Sequence, residues 1–165
     1  MPFDYEANLT AVTNALSQYN TTTSSPDLSS GLTTRVKNVF ARDPRITPPR
    51  NLDLPAVFVM ISNKEEDFAG LGATGPTGNR KSAQVTYDIF GVYIKDGATD
   101  SHSTLLTETY RFAENIEGVF QAELDLSNTA LWCNPQSTNF APALQNEGSL
   151  IKAFLVQLVA QYHFR

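Results

Sequence analysis

LIKAFLVQLVAQYHFR, residues Leu150 to Arg165, ends the chain without a turn residue, a cap or a polar tail. Taken two at a time, Leu150, Phe154, Val156, Leu158, Ala160, Tyr162 and Phe164 fall on one side, interrupted only by Lys152. The other side mixes Ile151, Ala153, Leu155 and Val159 with Gln157, Gln161, His163 and Arg165, the pattern of a strand buried mainly on one face. A helix competes, because Ile151, Leu155, Leu158, Val159 and Tyr162 also fit the helical period and the segment is not rich in β-branched residues. The strand is preferred: the aromatic ending Tyr162-His163-Phe164-Arg165 suits a pleated surface, and no Gly or Asn stop follows. A chain that finishes inside its sheet, with no catalytic appendage after it, is expected to be a compact module built for assembly.

Working outward, 165 residues at 41% hydrophobic and 18% charged suffice for one ordinary core, so a single domain over residues 1–165 is expected rather than a disordered tail protein. The formal net charge of −5 argues against wrapping nucleic acid by neutralising phosphates. Cys133 is the single cysteine, which excludes an internal disulfide and any multi-cysteine metal site; beside Ala130-Leu131-Trp132 it reads as a buried thiol. The start, MPFDYEANL, has no basic or apolar stretch, and no long apolar run follows, so neither a signal peptide nor a membrane span is expected. The protein is expected to be cytosolic when made, which leaves the triplets Asn8-Leu9-Thr10 and Asn20-Thr21-Thr22 without meaning as glycosylation sites.

Between the ends, Tyr5, Leu9, Val12, Leu16 and Tyr19 form the stripe of an amphipathic helix over Asp4 to Tyr19, with Asp4 as its cap. Asn20 to Gly31 reads as a polar surface loop, and Leu32 to Phe40 as a helix or a short strand. Pro44, Pro48, Pro49 and Pro55 hold the backbone extended into a buried strand, Ala56 to Ile61. Gln84 to Lys95 predicts a second strand, with Gly91 a candidate bulge, pairing with the first as a hairpin. Leu105, Phe112, Ile116, Val119 and Phe120 mark a second helix, and Thr129 to Cys133 a short strand stopped by Asn134-Pro135. The loop Gln136 to Gly148 then leads to the terminal strand. The expected fold class is α+β: a mostly antiparallel sheet of about four strands with two or three helices packed on one face.

Three motifs invite a chemical reading. Gly70-Leu71-Gly72-Ala73-Thr74-Gly75 matches the dinucleotide string, but Lys64-Glu65-Glu66-Asp67 precedes it where a strand is required, and Pro76 follows where a helix must begin. Gly75 to Ser82 nearly mimics a phosphate loop, yet Arg80 stands where a glycine must let the backbone curl around phosphate. His102 and His163 have no recognisable partner, and no G-x-S-x-G elbow exists for a nucleophile. Glu65, Glu66 and Asp67 read as solvated surface before a cation site, and Phe112, Phe120, Phe154 and Tyr162 as core before stacking platforms. No catalytic, cofactor-binding or metal-ligating residue is assigned, and no enzymatic activity is expected. Instead the long hairpin loop from Lys64 to Ser82, acidic on one side and basic on the other, is expected to be mobile in a free subunit and to order against a neighbour. Its candidate interface residues are Glu65, Glu66, Asp67, Phe68, Arg80 and Lys81.

The layout as a whole resembles the tail terminator and tail-completion proteins of tailed bacteriophages. An N-terminal amphipathic helix, the proline-led segment Leu54-Pro55-Ala56-Val57-Phe58-Val59, a hairpin with a long loop, a single helix over Thr104 to Glu123 and a terminal strand carry that resemblance through element order. It implies a small α+β subunit that forms a hexameric ring on the head-proximal end of the tail, stops tube growth and presents a surface for joining the head. The implied partners are copies of the chain, the tail tube protein, the sheath where a tail has one, and a head-completion or neck protein. DNA would pass through without specific binding, helped by the acidic balance. The implied location is the virion, reached from the host cytoplasm. The Thr/Ser loop before Leu32 and the Gln136 to Gly148 loop are extensions relative to that family. Two alternatives stay open: another neck or head-completion protein, and a small-ligand-binding or enzymatic α+β domain.

Overall fold

A computed structural model describes residues 2–68, 81–96 and 101–164, apart from the side chains of Phe68, Ser101 and Phe164. The terminal segment forms β6, Ser149–Phe164, and lies inside a sheet between its neighbours. Lys152, Phe154, Val156, Leu158, Ala160 and Tyr162 are buried on one side of it, as the alternation requires. Lys152, the interruption in that row, keeps its aliphatic stem in the core and carries its ammonium across to the carbonyl of Ala141 at 2.5 Å.

Around β6 the elements are α1 (Tyr5–Gln18), β1 (Asn38–Phe40), β2 (Ala56–Phe68), β3 (Lys81–Asp96), α2 (Ser101–Ala122), β4 (Trp132–Phe140) and β5 (Leu144–Asn146). The sheet order is β1-β2-β3-β6-β4, with β5 also pairing β6. Every pair is antiparallel except β1 with β2, so the sheet is mixed and has six strands rather than about four. Two helices cover one face. From α1, Val12, Ala15 and Leu16 join the main core; from α2, Leu105, Phe112, Ala113, Ile116, Val119 and Phe120 do. Asp4 caps α1 as predicted, its Oδ1 accepting the Ala7 N–H at 2.9 Å, while Tyr5 is half exposed instead of completing the buried stripe. A smaller cluster of Leu54, Ala56, Phe58 and Val92 lies apart from that core.

Three expectations change, and one left open is resolved. The first strand runs on past Ile61 to Phe68, with a register shift between Ile61 and Asn63, so Glu65, Glu66, Asp67 and Phe68 stand on a strand and not in a loop. Beyond Phe58, β2 has no partner on its outer side among the described residues, and charged side chains suit an exposed edge that must not recruit another chain. The Thr129 to Cys133 strand starts at Trp132 and passes through Pro135 to Phe140, because at the outer edge of the sheet a missing N–H costs nothing and a register shift after Pro135 absorbs the ring. Gly91 is no bulge; it pairs in register with Val57 and Phe154. Of Leu32 to Phe40, only Asn38–Phe40 is regular, a strand.

The polar loop before Leu32 is more than surface. Leu28 is fully buried, Arg35 grips both carboxylate oxygens of Asp27 at 2.9 Å, and Ser29 Oγ donates to Asn20 Oδ1 at 2.6 Å while accepting the Val36 N–H at 2.9 Å. Asn115 of α2 donates to the carbonyls of Leu28 and Ser30. Side-chain bonds thus replace the ladder that a strand would supply.

Candidate assembly surfaces

The sequence-predicted interface residues gather at the far end of β2 and β3. Phe68 pairs with Lys81 in backbone register, Asp67 with Ser82, Glu66 with Ala83 and Glu65 with Gln84. The pleat divides them. Glu66 stands on the helix side with Lys64, which it binds, and with Lys81 Nζ at 3.9 Å. Lys64 also lies 5.0 Å above the Phe3 ring and 5.1 Å above the Tyr5 ring. The Lys64 bond holds the Glu66 carboxyl below the ordinary carboxylate range. Glu65 and Asp67 alternate to the other face, where Asn63 Nδ2 donates to Glu65 at 3.3 Å. Three contiguous acids on a strand therefore do not converge, and among the described residues no group of three or more His, Cys, Asp or Glu is placed to hold a metal ion. Arg80 lies outside the described residues, as do the glycine string Gly70 to Gly75 and the loop 69–80, of which mobility was expected.

His102 stands near the start of α2 and His163 near the end of β6, both exposed. Cys133 is buried in the core, its thiol pushed up to about 12 by burial and by the nearby Asp125 and Glu123 carboxylates. Phe112, Phe120, Phe154 and Tyr162 are core, as predicted. A cleft of about 570 Å³ at one end of β3 is lined by Thr33, Lys37, Asn51, Tyr93, Lys95 and Ser149 among others. Its two cations are engaged: Lys37 donates to the Leu52 carbonyl at 3.1 Å, and Lys95 pairs with Glu108 at 2.9 Å. Glu108 is buried on α2 and accepts from the Thr33 N–H at 2.7 Å and from the Thr33 hydroxyl. The cluster ties the Thr33 segment to α2 and β3.

Two surfaces that sequence reasoning missed lie at opposite edges of the sheet. Next to β1, the Arg42 guanidinium rests 4.3 Å above the Phe40 ring and 5.6 Å above Phe58, and Arg45 sits 5.3 Å above Phe90 while pairing with Asp43. At the β4 edge, Tyr110 of α2 packs edge-on against Phe140 at 4.9 Å, and both are at least two-fifths exposed, as are Trp132, Leu131 and Leu144. A groove of about 280 Å³ separates α2 from β4, with Glu117 and Gln121 on one wall and Asn134 to Thr138 on the other. The signal was in the sequence: residues 126–146 contain no charged side chain at all, in a chain that is 18% charged. Among the described residues no helix is long and apolar enough to cross a membrane. Compared with known proteins, the chain matches no family model and no curated protein.

Proposed function

We propose that the chain is a structural protein of a tailed bacteriophage: a tail terminator subunit that assembles as a ring at the head-proximal end of the tail, ends tube growth and joins tail to head. The observation that carries this reading is the element order. An amphipathic helix, a proline-led strand in a long hairpin, one long helix and a closing strand resemble that family, and the α+β architecture agrees with it. The exposed aromatics and arginines at the two sheet edges support a role in assembly, since these residue types are enriched where proteins meet. Catalysis has no part in this reading, and no cofactor is assigned.

Headless tails and tailless filled heads, incubated separately with the purified protein and pelleted, test the position. The proposal expects the protein to travel with tails. Binding to filled heads alone would instead favour a head-completion protein, and a rise in melting temperature with small metabolites and no binding to either particle would favour a ligand-binding domain.

A further inference from the structure

The two edges of the sheet differ in charge as well as position. Residues 35–50 hold five cations, of which Arg35, Arg45 and Arg50 pair with Asp27, Asp43 and Asp53, leaving Lys37 and Arg42 without a paired acid among the described residues. Residues 108–147, which make most of α2 and all of β4 and β5, hold six acids against the single base Arg111; Glu108 is paired with Lys95 of β3, which leaves five. The first segment includes β1 at one end of the sheet and the second includes β4 at the other. The subunit is therefore polar across its width, inside a chain whose net charge of −5 would make most random self-contacts repulsive.

We propose that these edges are the two halves of one head-to-tail contact between copies of this chain, the arginine loop around Arg42 of one subunit docking against the α2/β4 edge of the next. This rests on the ring reading above and names its interface. Opposite charge at opposite locations lets a heterologous contact repeat from copy to copy, and a ring follows where the rotation between subunits closes. Arg42 is the centre of the donor side. Stacking on Phe40 and Phe58 orients its planar guanidinium, and among the described residues its buried Nε has no hydrogen-bond partner. Ile46, 81% exposed, extends the same loop. The receiving side offers Glu114 and Glu117, on the α2 face that also carries Tyr110, beside the α2/β4 groove and the uncharged edge with Phe140 and Leu144. An arginine entering there meets carboxylates and aromatic rings, and arginine and tyrosine are among the residue types enriched in hot spots.

The test uses two double variants of the full chain. Arg42→Glu with Ile46→Asp breaks the donor edge; Glu114→Arg with Leu144→Lys breaks the receiving edge. Ile46, Glu114 and Leu144 are exposed while Arg42 is half-buried on Phe40 and Phe58, so thermal melts identify any variant that fails to fold. In that case the corresponding single variant, Ile46→Asp or Glu114→Arg, replaces it. Light scattering should find wild type in rings, alone or seeded with tail tubes, and each variant at least about tenfold weaker in association. Mixed one to one at high concentration, the two variants should form dimers and stop, because each pair keeps one intact contact. Variants that form rings as wild type does, or a mixture that stays monomeric, would overturn the interface while leaving the ring intact as an idea. A wild type that forms no ring under either condition removes the ring reading and this contact together.

Discussion

Gly91 sits beneath the ring of Phe154, and a Cβ at that position would come within 2.0 Å of Phe154 Cζ, with two further ring atoms inside 2.8 Å. The ring cannot step aside, since Phe112 meets it edge-on at 5.3 Å and Phe140 lies at 5.8 Å. Gly91→Ala should therefore lose about 1–3 kcal/mol of stability by overpacking, measured by urea unfolding, despite a substitution that favours strand in the abstract. Glu108 makes a second prediction at this scale. Burial pushes its carboxyl up, but the bonds from Thr33 and Lys95 outweigh that and hold it below its ordinary value of 4.5. A depressed folded pKa contributes stability that is fully present above the ordinary value and is lost as pH falls through the folded one. Wild type should thus lose stability on acidification below about pH 4.5, and Glu108→Gln should be less stable at neutral pH and show a flatter acid limb. An identical acid limb in the variant would show that the carboxylate is not the group responsible.

Between β3 and β6, Tyr87 and Tyr162 share a buried hydroxyl to hydroxyl bond of 2.6 Å. Burial raises both phenols, Tyr162 to about 12. Removing one hydroxyl leaves the other without its partner, so Tyr162→Phe should cost about 1–3 kcal/mol, whereas Tyr87→Phe with Tyr162→Phe should recover most of that loss. Equal losses that simply add would contradict the pairing. The strands themselves show what a sequence makes legible. Alternation named the terminal strand, its buried face and the core stripe of α2, because packing on one face imposes a period on the residues. Alternation did not reveal that β2 continues through Lys64, Glu65, Glu66 and Asp67, or that β4 crosses Pro135. Both belong to sheet edges, where one side of the strand meets solvent and charge or proline is tolerated. Whether a strand is an edge is a property of topology, and topology was absent from the local pattern. For the same reason the burial of Leu28 escaped notice within a run of Thr and Ser.

The molecule as a whole is one sheet with helices on one face, two chemically different edges and a long three-stranded extension of β2, β3 and β6. The candidate residues at Glu65 to Lys81 were recognisable as charged surface, but their division between two faces followed only from the pleat. The charge-free stretch 126–146 marked the Phe140 edge, but nothing local joined it to Tyr110 or singled out Arg42, since an exposed aromatic looks like a core one in sequence. On the proposed reading, the most direct test is to polymerise a tail tube protein encoded in the same genome with increasing amounts of this chain and to measure tube length and tube ends by electron microscopy. The account predicts a closed ring at one end of each tube and tubes that stop lengthening. Tubes that grow to the same length with bare ends, alongside a chain that stays monomeric by light scattering, would contradict it.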